Sequence, residues 1–97
     1  MILDVTQEDI DSSAKAKSGV YECVIACAFA RTIGKRNIIG VGYRIIEIVN
    51  SKHEIQFLPE EVYIYIKNWI GKRNVEPTTF NIPLNSDFEE ALSEAIS

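Results

Sequence analysis

The sequence predicts a single α+β domain: a small antiparallel sheet with two main helices packed on one face, followed by a short C-terminal amphipathic helix. Three observations lead there. Residues 20–31, VYECVIACAFAR, are apolar on every side, the pattern of a buried helix. Residues 44–49 and 53–57, on either side of Asn50-Ser51-Lys52, have the β-branched content and alternation of a hairpin. Phe88, Ala91, Leu92, Ala95 and Ile96 recur at helical spacing, giving a tail helix one apolar stripe. With 97 residues the chain can build one modest core and not two. Residues 1–85 are expected to form the domain and residues 86–97 an acidic tail.

The elements follow in order. Ile2-Leu3-Asp4-Val5 is a short strand, and Thr6 with Asp9 three residues on is a helix start, the hydroxyl capping free N–H groups of the first turn. That short helix ends by Ser12-Ser13, and residues 14–19 (AKAKSG) form a polar connector. In the central helix Cys23, Ala26, Cys27 and Ala30 make a stripe of small side chains. It fits either close packing on a sheet or a seam between two copies. Gly34 suits a left-handed helix cap. Residues 38–43 and 44–49 then read as strands, with Gly40 and Gly42 marking a bulge or a close approach to bare backbone.

Pro59-Glu60-Glu61 opens the second main helix, proline suiting its first position and acids its first turn. Val62, Tyr65, Ile66, Trp69 and Ile70 carry its apolar face, although residues 62–66 also suit a strand by propensity. Gly71 ends it. Phe80, Ile82 and Leu84 alternate in an edge strand flanked by Pro77 and Pro83. The sheet is expected to combine the first strand, the hairpin and this Phe80 strand. Ser86-Asp87-Phe88-Glu89 then reads as a capping box. A helix this short is marginal alone, so it docks on its own domain, on a second copy or on a target.

Composition narrows the function classes. The tail holds Asp87, Glu89, Glu90 and Glu94 and no base, so the ten acids before it balance the ten bases, and the formal charge of −4 belongs to the tail. A neutral body does not fit non-specific nucleic-acid binding through a broad basic face. No apolar run approaches the roughly 20 residues that span a bilayer, and MILDVTQEDI has acid where a signal peptide needs base. A cytoplasmic location is expected. Cys23 and Cys27, with His53 remote, have neither zinc-site nor disulfide spacing and read as core residues. No nucleophile is paired with a base, so neither catalysis nor a cofactor is expected.

One internal echo remains. Ile33-Gly34-Lys35-Arg36-Asn37 and Ile70-Gly71-Lys72-Arg73-Asn74 are the same pentapeptide, each ending a helix. Either two helices each needed a glycine stop and bases against the negative end of the dipole, or two basic corners converge to hold phosphates or carboxylates.

Val5-Thr6 with Ile10, Cys23 leading into Ile25-Ala26-x-Ala28, Leu58-Pro59-x-x-Val62-x-x-Tyr65-Ile66 and Pro77-x-x-Phe80-x-Ile82 together resemble a group of small phage and prophage proteins of unassigned function. The resemblance covers residues 2–84, and Val24 stands where that group usually has proline. It implies a phage accessory protein acting against host defence by binding. The ligand expected is a phosphate-bearing immune signal of nucleotide type, sequestered by Arg31, Lys35, Arg36, Arg44, Lys72 and Arg73 with Tyr43 and Trp69 as stacking faces. The alternative is occlusion of a host defence protein such as a CRISPR effector. A homo-oligomer is expected in either case, because Tyr21, Tyr43, Tyr63 and Trp69 leave apolar area over.

Overall fold

Thr6 and Asp9 show how local chemistry sets the first turn of the fold. The Asp9 N–H donates to Thr6 Oγ1 at 3.3 Å, while the Thr6 N–H donates to Asp9 Oδ2 at 2.9 Å, a reciprocal box that starts a helix directly after a strand. The computed structural model describes residues 1–14, 23–42, 44–49, 54–71 and 74–97. The elements are β1 (Ile2–Val5), α1 (Gln7–Ala14), α2 (Val24–Ile33), β2 (Ile39–Val41), β3 (Ile45–Ile48), β4 (Ile55–Phe57), α3 (Glu60–Ile70), β5 (Thr78–Asn81) and α4 (Ser86–Ile96). The α+β class is as expected, and residues 62–66 are helical.

The single expected sheet is instead two. β1 pairs antiparallel with β5, Leu3 opposite Phe80, and the ladder runs on through mutual bonds between Met1 and Ile82. β2, β3 and β4 form a separate antiparallel sheet with β3 in the middle. The reason lies in the fourth helix and the central one: α2 packs on both β1 and β2, and α4 lies under β3. Helices packed against the two strand groups bury both without a hydrogen-bonded ladder between them.

The core follows from these contacts. Leu3, Val24, Ile25, Ala28, Phe29, Ile46, Val62, Ile82 and Phe88 are all buried to 1% exposure or less. α2 is capped by Cys23, whose sulfur accepts the Ala26 N–H at 3.4 Å, so it begins later than the expected residue 20 within the described chain. Residues 14–19 of the expected connector, apart from residue 14 itself, and the Asn50-Ser51-Lys52 turn lie outside the described residues, as do Tyr21 and His53.

Boundaries elsewhere move by a residue or two. Pro59 is the cap rather than the first residue of α3, and Asn85 rather than Ser86 precedes α4 without a side-chain capping bond. The expected capping box is not formed there: the Glu89 N–H it would use donates to the Asn85 carbonyl at 2.9 Å, which starts the helix one residue earlier. The tail helix docks on its own domain through Phe88, Ala91 and Leu92.

The two glycine stops differ although their pentapeptides do not. Gly34 sits at φ 77°, the left-handed cap, with its N–H on the Ala30 carbonyl, whereas Gly71 stays at φ −71° and ψ 5°. Asn37 follows at φ 63°, the only non-glycine residue with positive φ among those described. β2 and β3 are shorter than expected. Gly42 lies beyond β2 and donates to the Ile45 carbonyl at 2.8 Å to close the turn into β3. A side chain there would meet Ile45 Cγ1 at 3.2 Å, which accounts for glycine at this close approach.

Candidate functional site

Of the four expected ligand-binding cations among the described residues, three, Arg31, Lys35 and Arg44, have partners within the chain. Arg31, on the last turn of α2, sets Nη2 against Asp9 Oδ2 at 3.1 Å and also donates to the Asp4 carbonyl at 2.5 Å. Asp9 is 3% exposed and, by hydrogen bond first, raises the Arg31 pKa above its already high ordinary value. Lys35 Nζ donates to the Ile96 carbonyl at the C-terminal end of α4, where a helix presents unsatisfied carbonyls. Arg44 places its guanidinium 4.3 Å from the centre of the Tyr63 ring, a cation–π contact. Arg36 is exposed. Tyr43, Lys72 and Arg73 lie outside the described residues.

Trp69, the expected stacking ring, is half-buried and donates its Nε1 proton to Ser13 Oγ at 3.0 Å. Ser13 in turn donates to the Ile10 carbonyl. α1 thus ties the other two helices together with buried polar side chains, Asp9 reaching α2 and Ser13 reaching α3. A groove of about 440 Å³ lies beside α3, floored by Tyr65 and Phe80 in edge-to-face contact at 5.4 Å. Glu61 and Glu76 line it, which disfavours phosphate. Burial, and secondarily the charge of Asp9, hold the Tyr65 hydroxyl protonated, and it donates to the Glu76 carbonyl at 2.7 Å.

Among the described residues the most exposed large apolar side chain is on β4, with Ile2 of β1, 59% exposed, the next. Alternation along a strand sends neighbouring side chains to opposite faces. Gln56 points in, 5% exposed, donating to the Pro83 carbonyl at 2.7 Å and accepting from the Asn85 N–H. Ile55 and Phe57 therefore point out, 53% and 79% exposed. Across the ladder Phe57 faces Ile45 and Ile55 faces Glu47. Backbone polarity follows the same alternation: the Ile48 N–H reaches the Glu54 carbonyl and the Leu58 N–H the Arg44 carbonyl, so residues 54, 56 and 58 face β3. The N–H and C=O groups of Ile55 and Phe57 face the open edge of the sheet.

Sequence reasoning missed these two residues. A signal was present in residues 54–58, EIQFL, where neither of the alternating apolar positions 55 and 57 has a charge or proline, the usual guards of an edge. Conventional chemistry is sparse beside this surface. Burial pushes the Cys23 thiol pKa up, the reverse of an activated nucleophile. Among the described residues no group of three His, Cys, Asp or Glu side chains is placed to hold a metal ion, and no helix is long and apolar enough to cross a membrane. Compared with protein-family models, curated proteins and solved structures, the chain matches none of them.

Proposed function

We propose that this is a non-catalytic binding protein that works by covering part of another protein, using the outer face of the three-stranded sheet. The observation that supports this reading is the coincidence, on β4, of the most exposed aromatic side chain and a backbone edge with no bonded strand, both among the described residues. Exposed apolar surface of this kind marks interaction sites, and an open strand edge adds directional hydrogen bonds to them. The internal engagement of Arg31, Lys35 and Arg44 favours this reading over sequestration of a nucleotide, because each would have to leave its partner to meet a phosphate. The phage-accessory resemblance makes a host defence protein in the cytoplasm, a CRISPR effector among them, the partner class to test first.

A photo-crosslinking residue placed at Phe57, and separately at Thr79 on β5, tests the reading in cells. Protein adducts are expected from position 57 and none from position 79. Recovery of intact nucleotide from heat-denatured protein, lost in the Arg31/Lys35/Arg36/Arg44→Ala variant, would overturn it in favour of sequestration.

A further inference from the structure

We infer that the open edge of β4 pairs antiparallel with β4 of a second copy, so that two chains share one continuous outer face. This rests on the docking reading above and names a component of that same surface: the partner copy contributes its own Ile55 and Phe57.

Only Ile55 and Phe57 turn their N–H and C=O groups to the open side of β4, since the flanking residues Glu54 and Leu58 are bonded to β3. A two-fold axis passing between the Gln56 residues of two chains sets Ile55 of one opposite Phe57 of the other, twice. Those are the pairs that exchange both N–H···O bonds, so the edge is satisfied without a change of register.

Side chains agree with that arrangement. On the outer face a β-branched residue meets an aromatic one, a favourable cross-strand combination, and no charged residue is brought opposite a like charge. On the inner face the Gln56 amides stay bonded to Pro83 and Asn85 of their own chains, so pairing orphans no buried polar group. Symmetry removes the need for a second, complementary patch, because the same residues serve on both sides.

β5 supplies the contrast that makes β4 specific. Its outward-turned residues are Thr79 and Asn81, polar and flanked by Pro77 and Pro83, with Thr79 Oγ1 donating to Asp4 Oδ1 at 2.7 Å. Such an edge is guarded against strand addition. β4 is likewise followed two residues on by a proline, Pro59, but its own outward residues are apolar.

The pairing strand is only three residues long, and it covers less than the roughly 800 Å² per partner of a standard interface. Self-association is therefore concentration-dependent, set in the micromolar range rather than obligate.

Sedimentation equilibrium from low to high micromolar concentration tests this with three variants. Ile55→Pro removes an outward N–H that no bond among the described residues uses, and Phe57→Lys sets charge on the joined face. Each is expected to raise the dimer dissociation constant on the order of a hundredfold while far-UV circular dichroism and the melting temperature of the dilute protein stay near wild type. Ile64→Lys, on the exposed face of α3, is expected to leave the dimer intact. A wild-type protein that stays monomeric throughout, or a dimer that survives Ile55→Pro but fails with Ile64→Lys, overturns the pairing. Crosslinks from position 57 to other proteins in cells would then persist if the docking reading is right and vanish with it if wrong, so the two failures are distinguishable.

Discussion

The two strand groups of this molecule treat their edges in opposite ways. At β5 the β1–β5 ribbon ends in threonine and asparagine between prolines, with Thr79 bonded to Asp4, while its other strand, β1, carries one outward apolar residue, Ile2, 59% exposed. The β2–β3–β4 sheet ends in Ile55 and Phe57, apolar and outward. Both edges belong to the same core, so stability alone does not explain the difference. Under the proposed reading, the edge whose outward side chains are apolar is the one used for contact.

The supports of the bare-edged sheet give the largest expected effects. Phe88, 1% exposed on α4, lies beneath that sheet, and Phe88→Ala should cost about 3–5 kcal/mol in urea unfolding. If the sheet and ribbon are separately supported, amide exchange in β3 and β4 should rise more than in β1 and β5; a uniform rise would break the comparison. Deleting residues 86–97 should likewise destabilise the body rather than trim a free tail.

Gln56→Ala should cost about 2–3 kcal/mol, because it leaves the Pro83 carbonyl and the Asn85 N–H without their partner. Gln56→Glu should recover little of it, since a carboxylate has no proton to donate to that carbonyl. On the ribbon side, Asp9→Ala removes the Thr6 box and the anchor of Arg31 and should cost about 2 kcal/mol, a figure held down by the exposure of Arg31 itself. Its exchange signature should fall on β1 and α1.

How much of this was legible in the sequence differs by region, and for physical reasons. Local chemistry was readable: the Thr6–Asp9 box, the Gly34 cap and the helical spacing from Val62 to Ile70 all depend on neighbours in the chain. Alternation over residues 53–57 gave the strand but not which face turns inward, because Gln56 is buried only through the distant Pro83 and Asn85. The charges of Arg31 and Lys35 were readable as charges. Their partners, Asp9 and the Ile96 carbonyl, come from other helices, and no periodicity encodes them. The separation of one expected sheet into two has the same origin, since helix packing across α2 and α4 decides it.

The smallest stability effect should be at the contact edge itself. Phe57→Ser should change the unfolding free energy of the dilute protein by no more than about 0.5 kcal/mol, as for an exposed surface site, and yet abolish association. Thr79→Phe, matched in exposure on the guarded edge, should leave association unchanged; a gain would show that apolar side chains suffice and that prolines do not guard β5.

Amide hydrogen exchange at Ile55, Phe57, Thr79 and Asn81, followed in dilute and concentrated protein, tests the central claim most directly. Exchange is expected to be fast at all four amides when dilute, with protection appearing at Ile55 and Phe57 alone as concentration rises. Protection of Ile55 and Phe57 at every concentration would mean that the edge is already covered within the chain, and equal exchange at all four under all conditions would mean that β4 is no different from β5; either result would contradict it.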